Sequence, residues 1–464
     1  MSRVREMAGD AVVWLLGALA TAALVVVACE VGLGLKYVLV AIAGSFAFVL
    51  IYVRPSTAIP FSIWALFFVS VFRRVLGGAD GYTPNDPLIL VPTVVLLPLI
   101  LRRLGSSRKL RTSAKFQVVL TLVALITTVL GLMQGAQATT VALGFVQFVI
   151  PMLAVLVLGP QELTLSFRRA IGHIRTAGVL AAAYGYVQYF APPRWDLSWL
   201  SSRASVVSSF GVAAKGEFRL FGTSSSPLGY ATLLALVICC WLLVRGRAPW
   251  WVSGLVVAFV AVPLLLTSVR TSVFALLMAI MIYALFRKGP LALLVLAPIP
   301  VVYAALPLVL GRIDPRLSAR FSLTGLHSDT SLEARVHLLS SELLRAVFSL
   351  GLGPGGSTDQ STVVDNGYLA AFLDLGLLGG VTFLVAIGWA LIKALGAATG
   401  RIEDTAYSVA IVLVVLLVVA EASAPTIQGD VGLLFWLSAA FLESRREIAR
   451  NPTQVISSQL GVVT

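Results

Sequence analysis

Long apolar runs, separated by short polar or charged segments, fill almost the whole chain. The runs are about 17 to 22 residues long, the length that an α-helix needs to cross about 30 Å of hydrocarbon. This pattern predicts an all-α polytopic membrane protein with about fourteen transmembrane helices. The predicted spans are 12–29, 37–53, 57–72, 88–101, 116–133, 141–158, 177–191, 227–244, 250–267, 271–286, 290–310, 366–391, 406–421 and 431–442.

The distribution of basic residues between these spans predicts the orientation of the chain. With an inner N-terminus, the inner segments contain 21 of the 34 Lys and Arg residues, and the outer segments contain 13. Cytoplasmic segments of membrane proteins carry the excess of Lys and Arg. We therefore expect both termini on the cytoplasmic side, and we interpret the first run, after Arg3 and Arg5, as an uncleaved helix.

Two long outer loops and one tight turn hold most of the outer cations. The loops cover 192–226 and 311–365 and are rich in Ser, Thr, Gly and Pro. We expect one membrane domain with elaborated outer loops rather than separable soluble domains. Its regions are N-terminal helices in 1–204, a region 205–442 that includes the loop 311–365, and a cytoplasmic tail 443–464.

An amphipathic pattern, "TSLEARVHLLSSELLRAVF", occupies part of the loop 311–365. Thr330 and Glu333 have the spacing of a capping box, and apolar residues then recur on one stripe. We predict a helix of about five turns that lies on the outer membrane surface or covers a cavity. Arg335 and His337 belong to this helix.

Composition narrows the functional classes. The chain is 58% hydrophobic and 12% charged, and its net charge of +13 comes from basic residues between apolar runs, which argues against a nucleic-acid partner. The three cysteines have neither a CxxC spacing nor an even extracellular set. No Walker loop, GxGxxG, HExxH or DxD-like pair stands out, so we expect no metal site, no cofactor and no nucleotide-bound donor.

Two outer arginines are candidates for binding an anion. The turn "LLLTSVRTSVFA" is so short that Arg270 must lie at the outer mouth between two helices, where a permanent charge needs an anionic partner such as a diphosphate. The alternative is an interfacial arginine that reaches lipid headgroups. In "GEFRLFGTSSSPLGYATLL", Arg219 and Thr223 precede a span whose N-terminus also favours anions. The alternative there is an ordinary helix cap with Pro in the first turn.

Acids and an amide stand at the start of the span "VVDNGYLAAFLDLGLLGG". Asp365 and Asn366 suit helix capping, and Asp365 also suits a carboxylate beside the two arginines that acts as general base toward a sugar hydroxyl. Asp374 is two turns deeper, and we expect it to face a polar interior and to pair with an arginine or with the backbone.

The remaining outer ionisable residues are assigned mostly to the membrane interface. We expect Glu421 and Asp430 there, at the ends of two spans, and we expect Arg73 and Arg74 to bind lipid headgroups. His337 is a second-choice acid or base.

The motifs together resemble those of the O-antigen ligase and O-antigen polymerase family of bacterial membrane glycosyltransferases. The resemblance covers about 205–440 and rests on "RLFGTSSSPLGYATLLAL", on "LLLTSVRTS", and on the outer loop that ends in "GLGPGG" before "VVDNGYLAAFLDLGLLGG". It implies a metal-independent enzyme of the C-type glycosyltransferase superfamily, whose donor is an undecaprenyl-diphosphate-linked glycan.

The resemblance also implies roles for individual residues. Two outer arginines of the family grip the diphosphate, and they map to Arg219 and Arg270. Ligases of the family carry His before the Asn that opens the last group of spans, and this chain has Asp365 there, which favours a polymerase. The framework matches are Gly351, Gly353, Asn366 and Gly376, and Arg335 matches a loop arginine. The candidate substrate-binding residues are Arg203, Thr223, Arg320, Arg335, His337 and Asn366.

The predicted reaction joins lipid-linked oligosaccharide repeats on the outer face of the bacterial cytoplasmic membrane. A sugar hydroxyl, activated by Asp365, attacks the anomeric carbon, and polyprenyl diphosphate leaves while Arg219 and Arg270 neutralise its charge. One alternative is a ligase that transfers the glycan to a lipid, wall or protein acceptor. Another is a precursor transporter or flippase, which would place ionisable residues at mid-span. Expected partners are the donor, a glycan or lipid acceptor, the bilayer, and a chain-length regulator or flippase.

Overall fold

A computed structural model describes residues 44–45, 47–49, 51–77, 86–103, 112–204, 210–213, 217–244, 249–286, 348–358, 366–399, 404–429 and 431–450. This part of the chain is almost entirely helical and has no strand, only an isolated bridge between Gly211 and Phe218. The helices are α1 Ala58–Gly77, α2 Val91–Val94, α3 Leu97–Arg103, α4 Thr112–Met133, α5 Ala138–Leu156, α6 Pro160–Phe190, α7 Arg194–Ala204, α8 Pro227–Leu243, α9 Trp250–Leu266, α10 Arg270–Phe286, α11 Gly367–Ala398, α12 Thr405–Glu421 and α13 Gly432–Arg450.

Several helices are apolar enough to cross a membrane. Within the described ranges, four have the length and hydropathy for it: Pro55–Gly77, Ser113–Met133, Ala138–Leu156 and Gly367–Ala398. Six further apolar helices have 10 to 17 residues, and they include α8, α9, α10 and α12. These findings confirm that the described part of the chain is almost entirely helical and has the composition of a membrane protein. The count of fourteen spans and their orientation stay predictions.

Three predicted elements lie outside the described residues, except for Phe348 at the end of the last one. They are the spans 12–29 and 290–310 and the amphipathic helix of the loop 311–365. The span predicted at 37–53 is described only in part.

Two predicted spans differ from the observed helices in ways that particular residues explain. The span 88–101 is divided into α2 and α3, because Pro98 has no N–H group to continue the helical ladder. The span predicted to begin at 177 belongs to α6, which begins at Pro160. Its charged first half is accommodated by side-chain contacts: Arg168 pairs with Asp404 at 2.9 Å, and Arg175 lies 3.7 Å from the centre of a Trp ring.

Hydrogen bonds between helices show their relative directions. The Tyr283 hydroxyl, near the end of α10, donates to Ser408 Oγ near the start of α12 at 2.7 Å, so these two packed helices are antiparallel. The hydroxyls of Thr232 and Ser272, early in α8 and α10, lie 3.3 Å apart. Helices α8 and α10 therefore begin at the same end of the bundle, and α12 ends there.

Helix α11 begins at this end as well. The Tyr368 hydroxyl, in the first turn of α11, donates to the Val418 carbonyl near the end of α12 at 2.6 Å. The three N-termini of α8, α10 and α11 thus share one end of the bundle, which we name the Arg270 end after the first residue of α10. The centre of the bundle is formed by α8 and α12, whose middle turns are almost completely buried.

Candidate functional site

A segment that runs into α8, residues 219–226, lies at the Arg270 end and is held by a buried arginine. Arg74, near the end of α1, donates from Nη1 to the Ser224 carbonyl at 2.6 Å and from Nη2 to the Gly222 carbonyl. Its Nε lies 2.6 Å from Asp196 Oδ1. The expectation that Arg74 binds lipid headgroups is therefore wrong, because the buried guanidinium binds two carbonyls and pairs with Asp196 inside the protein.

Asp196 and Gln188 complete this buried network. Asp196 Oδ2 accepts hydrogen bonds from Gln188 Nε2 at 2.6 Å and from the Tyr184 hydroxyl at 2.9 Å. Gln188 Oε1 accepts from the N–H groups of Phe221 and Gly222 at 3.2 and 2.7 Å. The segment is thus bound through its carbonyls by a cation and through its N–H groups by an amide.

Arg73 is also turned inward. Its Nε lies 3.6 Å from Asp86 Oδ2, and both side chains are buried. Asp86 in addition accepts a hydrogen bond from the Leu88 N–H at 3.0 Å. The headgroup expectation is wrong for Arg73 as well, because a carboxylate from the next segment supplies its countercharge.

Arg219 contacts the turn that leads to Arg270. Its Nε donates to the Thr267 carbonyl at 3.2 Å and its Nη2 to the Ser268 carbonyl at 3.1 Å. A main-chain hydrogen bond joins the same two segments: the Leu220 N–H donates to the Leu266 carbonyl at 3.4 Å. The structure therefore brings Arg219 to the turn immediately before Arg270, which is half-buried at the start of α10.

Thr223 and Ser226 have different environments within the segment. Thr223 is completely buried, and its Oγ1 has no hydrogen-bond partner within the described ranges. Ser226 caps α8, since its Oγ accepts from the Gly229 N–H at 3.0 Å, with Pro227 in the first turn. The helix-cap interpretation of this stretch is confirmed for Ser226.

Asn366 caps α11. Its Oδ1 accepts from the N–H groups of Tyr368 and Leu369 at 3.0 and 3.2 Å, as the capping interpretation predicts. Of the other candidate substrate contacts, Arg203 belongs to α7, a helix that was not predicted in the loop 192–226. The candidates outside the described residues are Asp365, Arg320, Arg335 and His337.

Asp374 holds the glycine-rich segment 351–357. Its Oδ2 and Oδ1 accept from the N–H groups of Gly355 and Ser357 at 2.9 and 2.8 Å. Next to it, α11 is interrupted at Gly376, where φ is 67° and ψ is −179°. The expectation that Asp374 is paired in a polar interior is confirmed: its partners are two backbone N–H groups and the Ser357 side chain.

Glu421 organises the turn after α12. It is completely buried and accepts from the Thr426 hydroxyl at 2.7 Å, from the Ile427 N–H at 2.6 Å and from Gln428 Nε2 at 3.3 Å. A methyl group on Gly367 would overlap its carboxylate. The interface assignment of Glu421 is therefore wrong, and this residue joins the end of α12 to the start of α11. Asp430 lies outside the described residues.

Sequence reasoning missed Asp196 and Gln188, and it assigned Arg74 and Glu421 to the wrong environment. One signal was available: Asp196 and Asp86 are acids in outer segments that follow or precede apolar runs, so each is a candidate countercharge for an arginine at a span end. No group of three or more His, Cys, Asp or Glu that could hold a metal occurs among the residues that the structure describes. The chemistry that this end can perform is the binding of an anion by guanidinium groups beside helix N-termini.

Comparisons with protein-family models, with curated proteins and with solved structures give no match.

Proposed function

We propose that the protein is a polysaccharide polymerase that joins undecaprenyl-diphosphate-linked oligosaccharide repeats on the outer face of the cytoplasmic membrane. The single observation that carries the proposal is the contact of Arg219 with the Thr267 and Ser268 carbonyls, directly before Arg270. A diphosphate leaving group develops charge during transfer, and guanidinium groups stabilise such charge.

Helix N-termini add to the electrostatic argument. Helices α8, α10 and α11 begin at the Arg270 end, and α10 packs against the other two. Each N-terminus carries the partial positive charge of its helix dipole. An anion bound by Arg270 would also experience the field of the α10 dipole, because Arg270 is the first residue of that helix. A lipid-linked diphosphate is an anion of suitable charge that reaches such a position from the bilayer.

The acceptor is activated by Asp365 in this proposal. The residue lies eight positions after the end of the glycine-rich segment 351–357 and directly precedes Asn366, the cap of α11. The carboxylate accepts the proton of the attacking sugar hydroxyl, while the diphosphate leaves with the bonding electrons of the glycosidic carbon–oxygen bond. This part of the proposal depends on the sequence argument, because Asp365 lies outside the described residues.

One structural observation favours a transport function: α11 is interrupted at Gly376, beside the buried Asp374. Broken helices with ionisable residues form the binding sites of many transporters. Both oxygens of Asp374, however, already accept backbone N–H groups. We therefore rank transport second to glycosyl transfer.

The test is a reconstituted assay in which purified lipid-linked repeats are the only substrate. A polymerase extends the repeats into a ladder of lengths. A ligase forms no ladder, because its acceptor is not in the assay, and a transporter leaves the repeats unchanged. Arg270→Ala and Asp365→Asn are each expected to lower the rate about 100-fold or more. Arg168→Ala is the control, since it removes a charge in the exposed pair with Asp404 next to the start of α12. Absence of a ladder, or full activity of both site variants, contradicts the proposal.

A further inference from the structure

The turn between α9 and α10 has an unusual backbone. Ser268 has φ 55°, and it is the one residue other than glycine with positive φ in the part of the chain that the structure describes. It follows Thr267, the C-cap of α9, and so occupies the position where glycine is common at helix ends. A side chain with a Cβ is strained in this left-handed conformation.

Side chains on both sides hold the turn in this conformation. Thr267 Oγ1 donates to the Leu264 carbonyl at 2.6 Å and accepts from the Val269 N–H at 3.2 Å. Arg219 supplies the other contacts, to the carbonyls of Thr267 and Ser268. These two carbonyls flank the φ and ψ angles of Ser268, so one planar guanidinium can bind both in only a narrow range of those angles.

We propose that Arg219 is a positioning residue: it stabilises the left-handed turn at Ser268 and thereby fixes Arg270 at the first position of α10. Arg270 is then the guanidinium that contacts the diphosphate. The inference rests on the proposed function for the identity of the ligand, but its structural part, the dependence of the turn on Arg219, does not. It assigns the two arginines unequal roles, in contrast to the resemblance, which implies that both grip the diphosphate.

The proposal predicts a specific energetic coupling between Arg219 and Ser268. Without Arg219, the strain at Ser268 favours a relaxed turn in which the start of α10 and Arg270 are displaced. Glycine adopts the left-handed conformation without strain, so the Ser268→Gly change removes the need for an external clamp. An arginine that only binds the diphosphate would be indifferent to the residue at 268.

The experiment compares Arg219→Ala in two backgrounds, the natural sequence and Ser268→Gly, with polymer formation measured as kcat and KM for lipid-linked repeats. In the natural sequence we expect kcat/KM to fall about tenfold. In the Ser268→Gly background we expect the same change to cost about twofold or less. Arg270→Ala should abolish activity in both backgrounds. An equal loss from Arg219→Ala in both backgrounds would overturn the positioning role.

A second measurement does not depend on catalysis. Hydrogen–deuterium exchange of the peptide around 264–272 reports the Val269 N–H, which is protected by Thr267 in the intact turn. We expect Arg219→Ala to accelerate this exchange about tenfold and Ser268→Gly to restore protection in the double variant. Unchanged exchange in Arg219→Ala overturns the inference. If the wild-type protein forms no polymer but the exchange pattern is as expected, the proposed function fails and the positioning role stands.

Discussion

Two segments at the Arg270 end are organised by buried charges of opposite sign. Arg74 binds the carbonyls of Gly222 and Ser224, and Asp374 binds the N–H groups of Gly355 and Ser357 in the segment 351–357. The arginine is accompanied by a buried carboxylate, Asp196. Asp374 accepts hydrogen bonds from backbone N–H groups and from the Ser357 side chain, and no ion pair to it occurs among the described residues.

The difference shows two ways of keeping a charge in an apolar bundle. A carboxylate is satisfied by two backbone N–H groups, each of which donates to one oxygen. A guanidinium has five donors, and here two carbonyls and a counterion share them. The segment at Arg74 therefore depends on residues from α1, α6 and α7. The segment at Asp374 depends on α11 and on α4 and α5, against which it packs.

The largest effect is expected from breaking the network of Arg74. Arg74→Met leaves Asp196 buried without its countercharge, so we expect the free energy of unfolding to fall by about 3 to 5 kcal/mol. Reversible unfolding in mixed micelles measures it. Arg168→Met is the matched control, since its pair with Asp404 is exposed and is worth about 0 to 1 kcal/mol. Equal losses in the two variants would contradict the structural importance of the buried pair.

A smaller effect is expected at Asp374. Asp374→Asn offers one oxygen where Gly355 and Ser357 each need an acceptor, so we expect a loss of about 1.5 to 3 kcal/mol and faster proteolysis of the segment 351–357. Asp404→Asn is the control, because Asp404 caps α12 and Asn is an equally good cap. Proteolysis of Asp374→Asn at the wild-type rate would show that the carboxylate does not hold the segment.

The smallest effect is expected where the segment 351–357 packs against α4. A methyl group on Gly131, in α4, would overlap the Leu352 carbonyl, whereas nothing lies within 4 Å of a methyl group on Gly172, in α6. We expect Gly131→Ala to destabilise the protein by about 1 to 2 kcal/mol and Gly172→Ala to stabilise it by about 0.5 to 1 kcal/mol. The Gly131→Ala loss should be smaller in the Asp374→Asn background, since both changes release one segment.

Sequence reasoning succeeded where a residue had one compatible environment. Asp374 lies two turns inside an apolar run, where only internal partners can satisfy an acid, and the structure shows such partners. Arg74 and Glu421 stand at the ends of runs, where lipid headgroups and protein interior are both within reach of a side chain. The choice between them depends on countercharges and turns far along the chain, such as Asp196, which local sequence does not reveal.

Helix boundaries were likewise predicted correctly where local sequence defines them and missed where distant contacts do. The observed starts at Pro227 and Trp250 match the predicted ones, and the start at Arg270 is one residue away, because caps and prolines define these positions locally. The early start of α6 at Pro160 was missed, since its charged residues are stabilised by contacts with other helices. For the candidate site, sequence indicated Arg219 and Arg270, and only the structure revealed the carbonyl contacts between Arg219 and the turn before Arg270.

The interruption of α11 has a consequence for biosynthesis. At the break, the carbonyls of Leu373 and Asp374 accept N–H groups of Leu352 and Gly353 at 3.0 and 2.9 Å. These donors precede α11 in the chain, and α4, which seats them, precedes both. During synthesis α4 is therefore made first, the donor N–H groups next and the acceptor carbonyls last. When the broken helix leaves the ribosome, the groups that bind its free carbonyls have already been synthesised.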